Sequence, residues 1–106
     1  FGSAPMPDKY AVRYLPVAVD DLLAIHDWIA ADSPARALSF TDKLDMRIGN
    51  LSTHPFLGRT PKHEKLRAFG YRVLVVESYL VFYVVRGHVI EIHRVVHGSR
   101  RLDDIA

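Results

Sequence analysis

The chain reads as one α+β domain in the order β-α-α-β-β-β, a small antiparallel sheet packed against an antiparallel helical hairpin. Three features of the sequence carry this reading. A two-residue alternation runs through Lys9–Leu15, and apolar residues at three- and four-residue spacing fill Pro16–Leu51. From Tyr71 to Arg101 runs a stretch of β-branched and aromatic residues, broken at Glu77-Ser78 and at Arg86-Gly87-His88. It ends in a histidine, a glycine and two arginines.

Each element has a local cause. In the first strand Tyr10, Val12 and Tyr14 share one side, with Ala11 and Arg13 on the other. Pro16 suits the first position of a helix, whose inner face is Leu22, Ile25 and Ile29 with Trp28 adjoining, while Asp20, Asp21 and Asp27 take the solvated side. Asp32-Ser33-Pro34 ends that helix and starts the next, with Ser33 as cap. Ala37, Phe40, Leu44, Ile48 and Leu51 then repeat along one face until His54-Pro55 closes it. So short a link makes the two helices antiparallel neighbours. Pro55–Pro61 is a loop, Leu66–Phe69 reads as a short strand, Tyr71–Glu77 as a central one, and Tyr79–Arg86 with His88–His97 as a hairpin across Gly87. The first strand is expected at the edge of this sheet.

A length of 106 residues fits a single domain, assigned to residues 6–106. Residues 1–5, Phe-Gly-Ser-Ala-Pro, read as a remnant of tag cleavage ahead of Met6. The chain has no cysteine, which excludes disulfides and thiolate metal sites and suits a cytoplasmic location. The apolar runs are far short of the ~20 residues of a membrane span. The net charge of +2 hides an asymmetry: residues 1–58 sum to −2 and residues 59–101 to +6. A basic second half implies a polyanion or an acidic partner, or arginines that keep the sheet edge soluble.

Metal chemistry finds no support. His93 and His97 form an H-x-x-x-H pattern, but on a strand they stand about 13 Å apart, too far to share an ion. No phosphate loop or other cofactor motif is present. Arg94 interrupts the row Ile90, Ile92 and Val96, which leaves two readings. It is a structural ion pair or a side chain reaching the rim, or it joins Arg72, His97, Arg100 and Arg101 in a cationic cup for phosphate or carboxylate. As a metal-independent ribonuclease, such a cup would use His97 as base or acid, arginines for the developing charge, and Tyr79 or Tyr83 to stack or donate.

The order of elements resembles the RelE/ParE superfamily of bacterial toxins. The resemblance rests on Trp28-Ile29, Ser33-Pro34, His54-Pro55-Phe56-Leu57-Gly58-Arg59, Leu66-Arg67, Gly70-Tyr71-Arg72, Tyr79–Tyr83, and the ending Arg94-Val95-Val96-His97-Gly98-Ser99-Arg100, similar to an R-V-x-H-x-x-R signature. It implies the toxin half of a type II toxin–antitoxin (plasmid stabilisation) system, held by an antitoxin whose acidic, amphipathic C-terminal segment wraps it. RelE-like members cleave messenger RNA on the ribosome; ParE-like members poison DNA gyrase. The RelE pattern is incompletely met: Tyr79 stands where an arginine is typical, Lys65-Leu66-Arg67 replaces paired lysines, and no tyrosine follows Arg101. The resemblance therefore favours the gyrase branch without enzymatic activity. Arg72, Tyr79, Tyr83, Arg94, His97, Arg100 and Arg101 are then the expected contacts to target or antitoxin. The ribonuclease alternative would use Arg67, Arg72, Arg94, His97 and Arg100. A further alternative is a non-toxic interaction domain or a decayed toxin.

Overall fold

The computed structural model describes residues 9–99. Strand β1 (Ala11–Tyr14) leads through Leu15 into helix α1 (Pro16–Ala30), and α2 (Pro34–Gly49) returns beside it. Pro16 and Pro34 each occupy a first turn, and the Ser33 hydroxyl accepts the Arg36 amide at 3.2 Å, capping α2 as expected. Beyond Gly49 the chain tightens into a 3-10 turn (Asn50–Ser52), which buries Leu51 under the helical face.

Strands β2 (Arg72–Val76), β3 (Tyr79–Arg86) and β4 (Val89–His97) form an antiparallel meander, and the sheet order is β1-β4-β3-β2. β1 lies at the edge, parallel to β4, with Val12 opposite Ile90 and Tyr14 opposite Ile92. The sheet is thus mixed, because β1 runs in the same direction as β4. The turn after β2 holds Glu77 at φ 54°, and the turn after β3 places Gly87 at φ 58°. The helical hairpin covers one sheet face. Ile25, Phe40, Leu44, Ile48 and Leu51 meet Leu74, Val76, Val81, Tyr83, Ile90 and Ile92 in the main core. Burial of such side chains, worth ~1.5–3 kcal/mol each, holds the two layers together.

The opposite face is not bare. Leu66–Phe69, expected as a strand, belongs to a short helix, α3 (Glu64–Phe69). Its residues Glu, Lys, Leu, Arg and Ala are helix formers without strand alternation. Gly70 at φ 97° ends it, with the Gly70 amide donating to Arg67 O and the Tyr71 amide to Leu66 O, both at 3.0 Å. α3 packs Leu66 onto Val73, Phe82 and Val96, a second small core flanked by Tyr71 and Leu80. Among the described residues no helix is long and apolar enough to cross a membrane. The assigned start at Met6 lies outside the described residues.

Candidate functional site

Among the described residues the expected cationic cup does not assemble. Arg72 stands opposite Tyr83, whereas Tyr79 stands opposite His97. These two pairs are four positions apart along β3, a span of about 13 Å. At the Arg72 end both side chains serve the protein itself. The Arg72 Nε and Nη2 donate to Gly58 O at 3.0 and 2.7 Å, and Nη2 also donates to Phe56 O at 3.1 Å. Its guanidinium lies 5.3 Å from the centre of the Phe56 ring. The Tyr83 hydroxyl donates to Pro55 O at 2.8 Å and accepts the Gly58 amide at 2.9 Å. A β-carbon at Gly58 would sit 2.7 Å from that hydroxyl and 2.9 Å from Val73 O, so only glycine lets the loop come this close. Tyr83, expected as a surface contact, is fully buried and cannot meet a partner. It and Arg72 clamp the Pro55–Gly58 loop to the sheet.

Arg94 meets the structural reading. Its Nε and Nη2 donate to the two Asp21 carboxylate oxygens at 2.8 and 3.0 Å, and the Val95 amide donates to Asp21 Oδ2 at 2.9 Å. This bidentate pair holds the guanidinium pKa above its ordinary value, with burial opposing. Asp21, assigned by spacing to the solvated side of α1, thus has a largely buried carboxylate facing β4. The pair also joins an acid of the first half to a cation of the second, so part of the charge asymmetry is internal. Arg67 donates to Lys62 O at 3.2 Å and is otherwise exposed. Arg100 and Arg101 lie outside the described residues.

What remains together is the Tyr79–His97 end of the sheet. Their rings meet edge to face at 5.3 Å, and Phe40 packs on Tyr79 at 5.2 Å. His97 Nδ1 accepts the Ser99 amide at 3.1 Å, which places the ring proton of the neutral form on Nε2. Lys43 closes the opposite wall with an ion pair to Glu77 at 2.8 Å. A groove of about 460 Å³ runs between them, lined also by Trp28, Ile29 and Arg36. Trp28, which adjoined the inner face of α1 by spacing, points outward and is 78% exposed. An exposed tryptophan beside a polar-rimmed groove is the composition of an interface anchor.

A chain of polar contacts on the other sheet face went unread in the sequence. The Tyr71 hydroxyl lies 2.9 Å from His93 Nδ1, His93 Nε2 lies 3.2 Å from Glu91 Oε1, and Arg86 Nε donates to the same oxygen at 2.8 Å. Arg86 and His93 together hold the Glu91 carboxyl below its usual range, while burial pushes the Tyr71 hydroxyl up. Phe69 stacks on Tyr71 at 5.0 Å, so the cluster is roofed rather than open. His93 and His97 have separate partners, and among the described residues no group of three His, Cys, Asp or Glu is placed to hold a metal.

A third surface lies between the helices. Val19, Leu22, Leu44 and Ile48 line a groove of about 400 Å³, rimmed by Tyr14, Asp42 and Asp45. Burial and the Asp45 carboxylate push the Tyr14 hydroxyl up to about 12.

The fold is similar to the chromosomal ParDE toxin–antitoxin system of P. aeruginosa, at 22% identity and a TM-score of 0.70, over 85% of this chain and 97% of that one. It is also similar to the toxin–antitoxin complex RelBE2 of Mycobacterium tuberculosis, at 24% identity and a TM-score of 0.57, over 84% of this chain and 98% of that one. No curated protein matches. Residues 12–102 match the family described as ParE toxin of the type II toxin–antitoxin system parDE. The chain belongs to the ParE toxin family of type II toxin–antitoxin systems.

Proposed function

We propose that this toxin acts in the cytoplasm as a non-enzymatic inhibitor of DNA gyrase and is silenced by its cognate antitoxin. The observation that supports this reading is the engagement of the cations. Arg72 holds a loop and Arg94 holds Asp21, so neither is at liberty to stabilise a phosphorane. A metal-free ribonuclease needs base, acid and several cations converging on one phosphate. Of the expected cup residues, only Tyr79 and His97 come together at the surface among the described residues, and the cations that share their groove, Arg36 and Lys43, are paired with Asp32 and Glu77. The formal charge of +2 is also low for a protein that must settle against ribosomal RNA.

An aromatic, polar-rimmed groove around Trp28, Tyr79 and His97 is instead suited to gripping protein. The antitoxin has two candidate seats, the groove between α1 and α2 and the Trp28 end of the sheet. Purified toxin incubated with gyrase and supercoiled plasmid tests the reading: it should accumulate cleaved plasmid, and antitoxin should prevent this.

One observation favours the second reading, a RelE-like ribosome-dependent endoribonuclease. His97 is exposed at the sheet end with its Nε2 unencumbered by the Ser99 contacts, a position suited to proton transfer. Cuts at defined codon positions on translating ribosomes, lost in His97→Ala, would establish it in place of gyrase inhibition.

A further inference from the structure

Phe56 and Leu57 stand 59% and 54% exposed, two large apolar side chains side by side in the loop after α2. The backbone that carries them is pinned. The Leu57 amide donates to His54 O at 3.1 Å, closing a turn with Pro55 at its second position. Tyr83 and Arg72 take up the carbonyls of Pro55, Phe56 and Gly58 and the Gly58 amide. With those groups engaged, the loop offers a partner its side chains rather than its backbone. The Arg72 guanidinium over the Phe56 ring restrains that ring as well.

Just past the loop the chain rounds the sheet edge. The Arg59 amide and carbonyl bond to Val73 at 2.9 and 2.8 Å, which covers β2 at that point. Arg59 and Lys62 then rim a cleft of about 310 Å³ floored by Val73, Leu80 and Phe82. Elsewhere Arg36, Lys43, Arg86 and Arg94 each pair with a carboxylate, but among the described residues Arg59 and Lys62 pair with none, and both are exposed. A rigid apolar knob and an apolar cleft, joined through an unpaired arginine, have the make-up of a protein-binding surface.

We infer that this edge of β2 is the surface by which the toxin grips gyrase, with Phe56 and Leu57 entering an apolar pocket of the target that has an acidic rim. The inference rests on the gyrase reading above and gives it an address. The unpaired Arg59 and Lys62 call for carboxylates on the partner. A second copy of the chain does not supply them in a two-fold contact, which would set Arg59 and Lys62 against their own copies. The antitoxin has its seats elsewhere. The loop sits at the Arg72–Tyr83 pair, about 13 Å along β3 from the Tyr79–His97 end, and shares no lining residue with either seat. Because the loop is already fixed, docking orders little more of it, and two side chains can carry a large share of the binding. Arg72 and Tyr83 are the positioning residues of this knob.

The full toxin and its variants are incubated with gyrase and supercoiled plasmid, and each is titrated separately with antitoxin. Leu57→Asp and Phe56→Ser should each need at least about tenfold more toxin for the same yield of linear plasmid. Leu57 is the cleaner position, since Phe56 also meets Arg72. Arg59→Glu should weaken the toxin most at low salt. Leu23→Gln, at an equally exposed apolar position on α1, should leave the yield unchanged. Antitoxin affinity should be unchanged in both loop variants, which reports an intact fold. Loop variants that linearise plasmid as the unaltered toxin does would overturn the surface alone. No linear plasmid with the unaltered toxin would overturn the gyrase reading and the surface together. Loop variants that lose antitoxin binding while circular dichroism shows them folded would assign the loop to the antitoxin and overturn the proposal.

Discussion

Replacing Asp21 with alanine is the sharpest test of how the sheet is held. The carboxylate makes two bonds to Arg94, at 2.8 and 3.0 Å, and a third to the Val95 amide at 2.9 Å. The side chains of Asp21 and Arg94 are 14% and 20% exposed, so both are largely withdrawn from water. A hydrogen bond to a charged group contributes about 1.5–3 kcal/mol, and breaking a fully buried ion pair costs about 3–5 kcal/mol. Residual water access to Arg94 lowers the expectation to about 2–4 kcal/mol. At about 4–8 °C per kcal/mol for a domain near this size, Tm should fall by roughly 8–32 °C.

Asp21→Asn retains an acceptor for the amide and should lose about half as much. Asp21→Ala with Arg94→Met should recover part of the loss, because no stranded guanidinium remains. Urea unfolding followed by circular dichroism reads all three. A loss below about 0.5 kcal/mol for Asp21→Ala, the level of an ordinary surface change, would refute the structural role assigned to the pair.

Tyr83→Phe removes a buried hydroxyl that serves Pro55 O and the Gly58 amide; stability should drop by about 2–3 kcal/mol in urea, with faster amide exchange across Phe56–Arg59. The raised Tyr14 pKa has a defined pH signature. Its folded value of about 12 exceeds the ordinary 10.0, so its contribution is full below pH 10 and is lost as pH rises through 12. Tyr14→Phe should flatten the alkaline fall in Tm over that window, and an unchanged slope would contradict the assignment.

The helical hairpin was legible because its causes are local. Ala37, Phe40, Leu44, Ile48 and Leu51 repeat at helical spacing and all five are buried; Ser33 caps where its side chain predicts. The hairpin turn at Gly87 is equally local. α3 was misread because six residues are too few to separate the two periodicities. Asp21 escaped because its partner is 73 residues away, and a short helical stretch marks an aspartate as solvated until the strand it faces is known. Trp28 escaped for the converse reason, since its spacing adjoins the inner face while its ring points out.

The cationic cup failed on geometry. Arg72, Arg94 and His97 are close in motif order, yet the meander sets Arg72 and His97 four positions apart along β3, and Asp21 draws Arg94 to the β4 edge. Residue types alone do not report which arginines the fold has already engaged.

The proposed inhibition of gyrase, in place of RNA cleavage, is read most directly from plasmid DNA. Gyrase, supercoiled plasmid and purified toxin are incubated together, and linear DNA is quantified after protein denaturation and digestion, with and without antitoxin. A toxin-dependent rise in linear plasmid, abolished by antitoxin, is the predicted result. Plasmid left uncleaved at toxin concentrations that cut messenger RNA on ribosomes would contradict it.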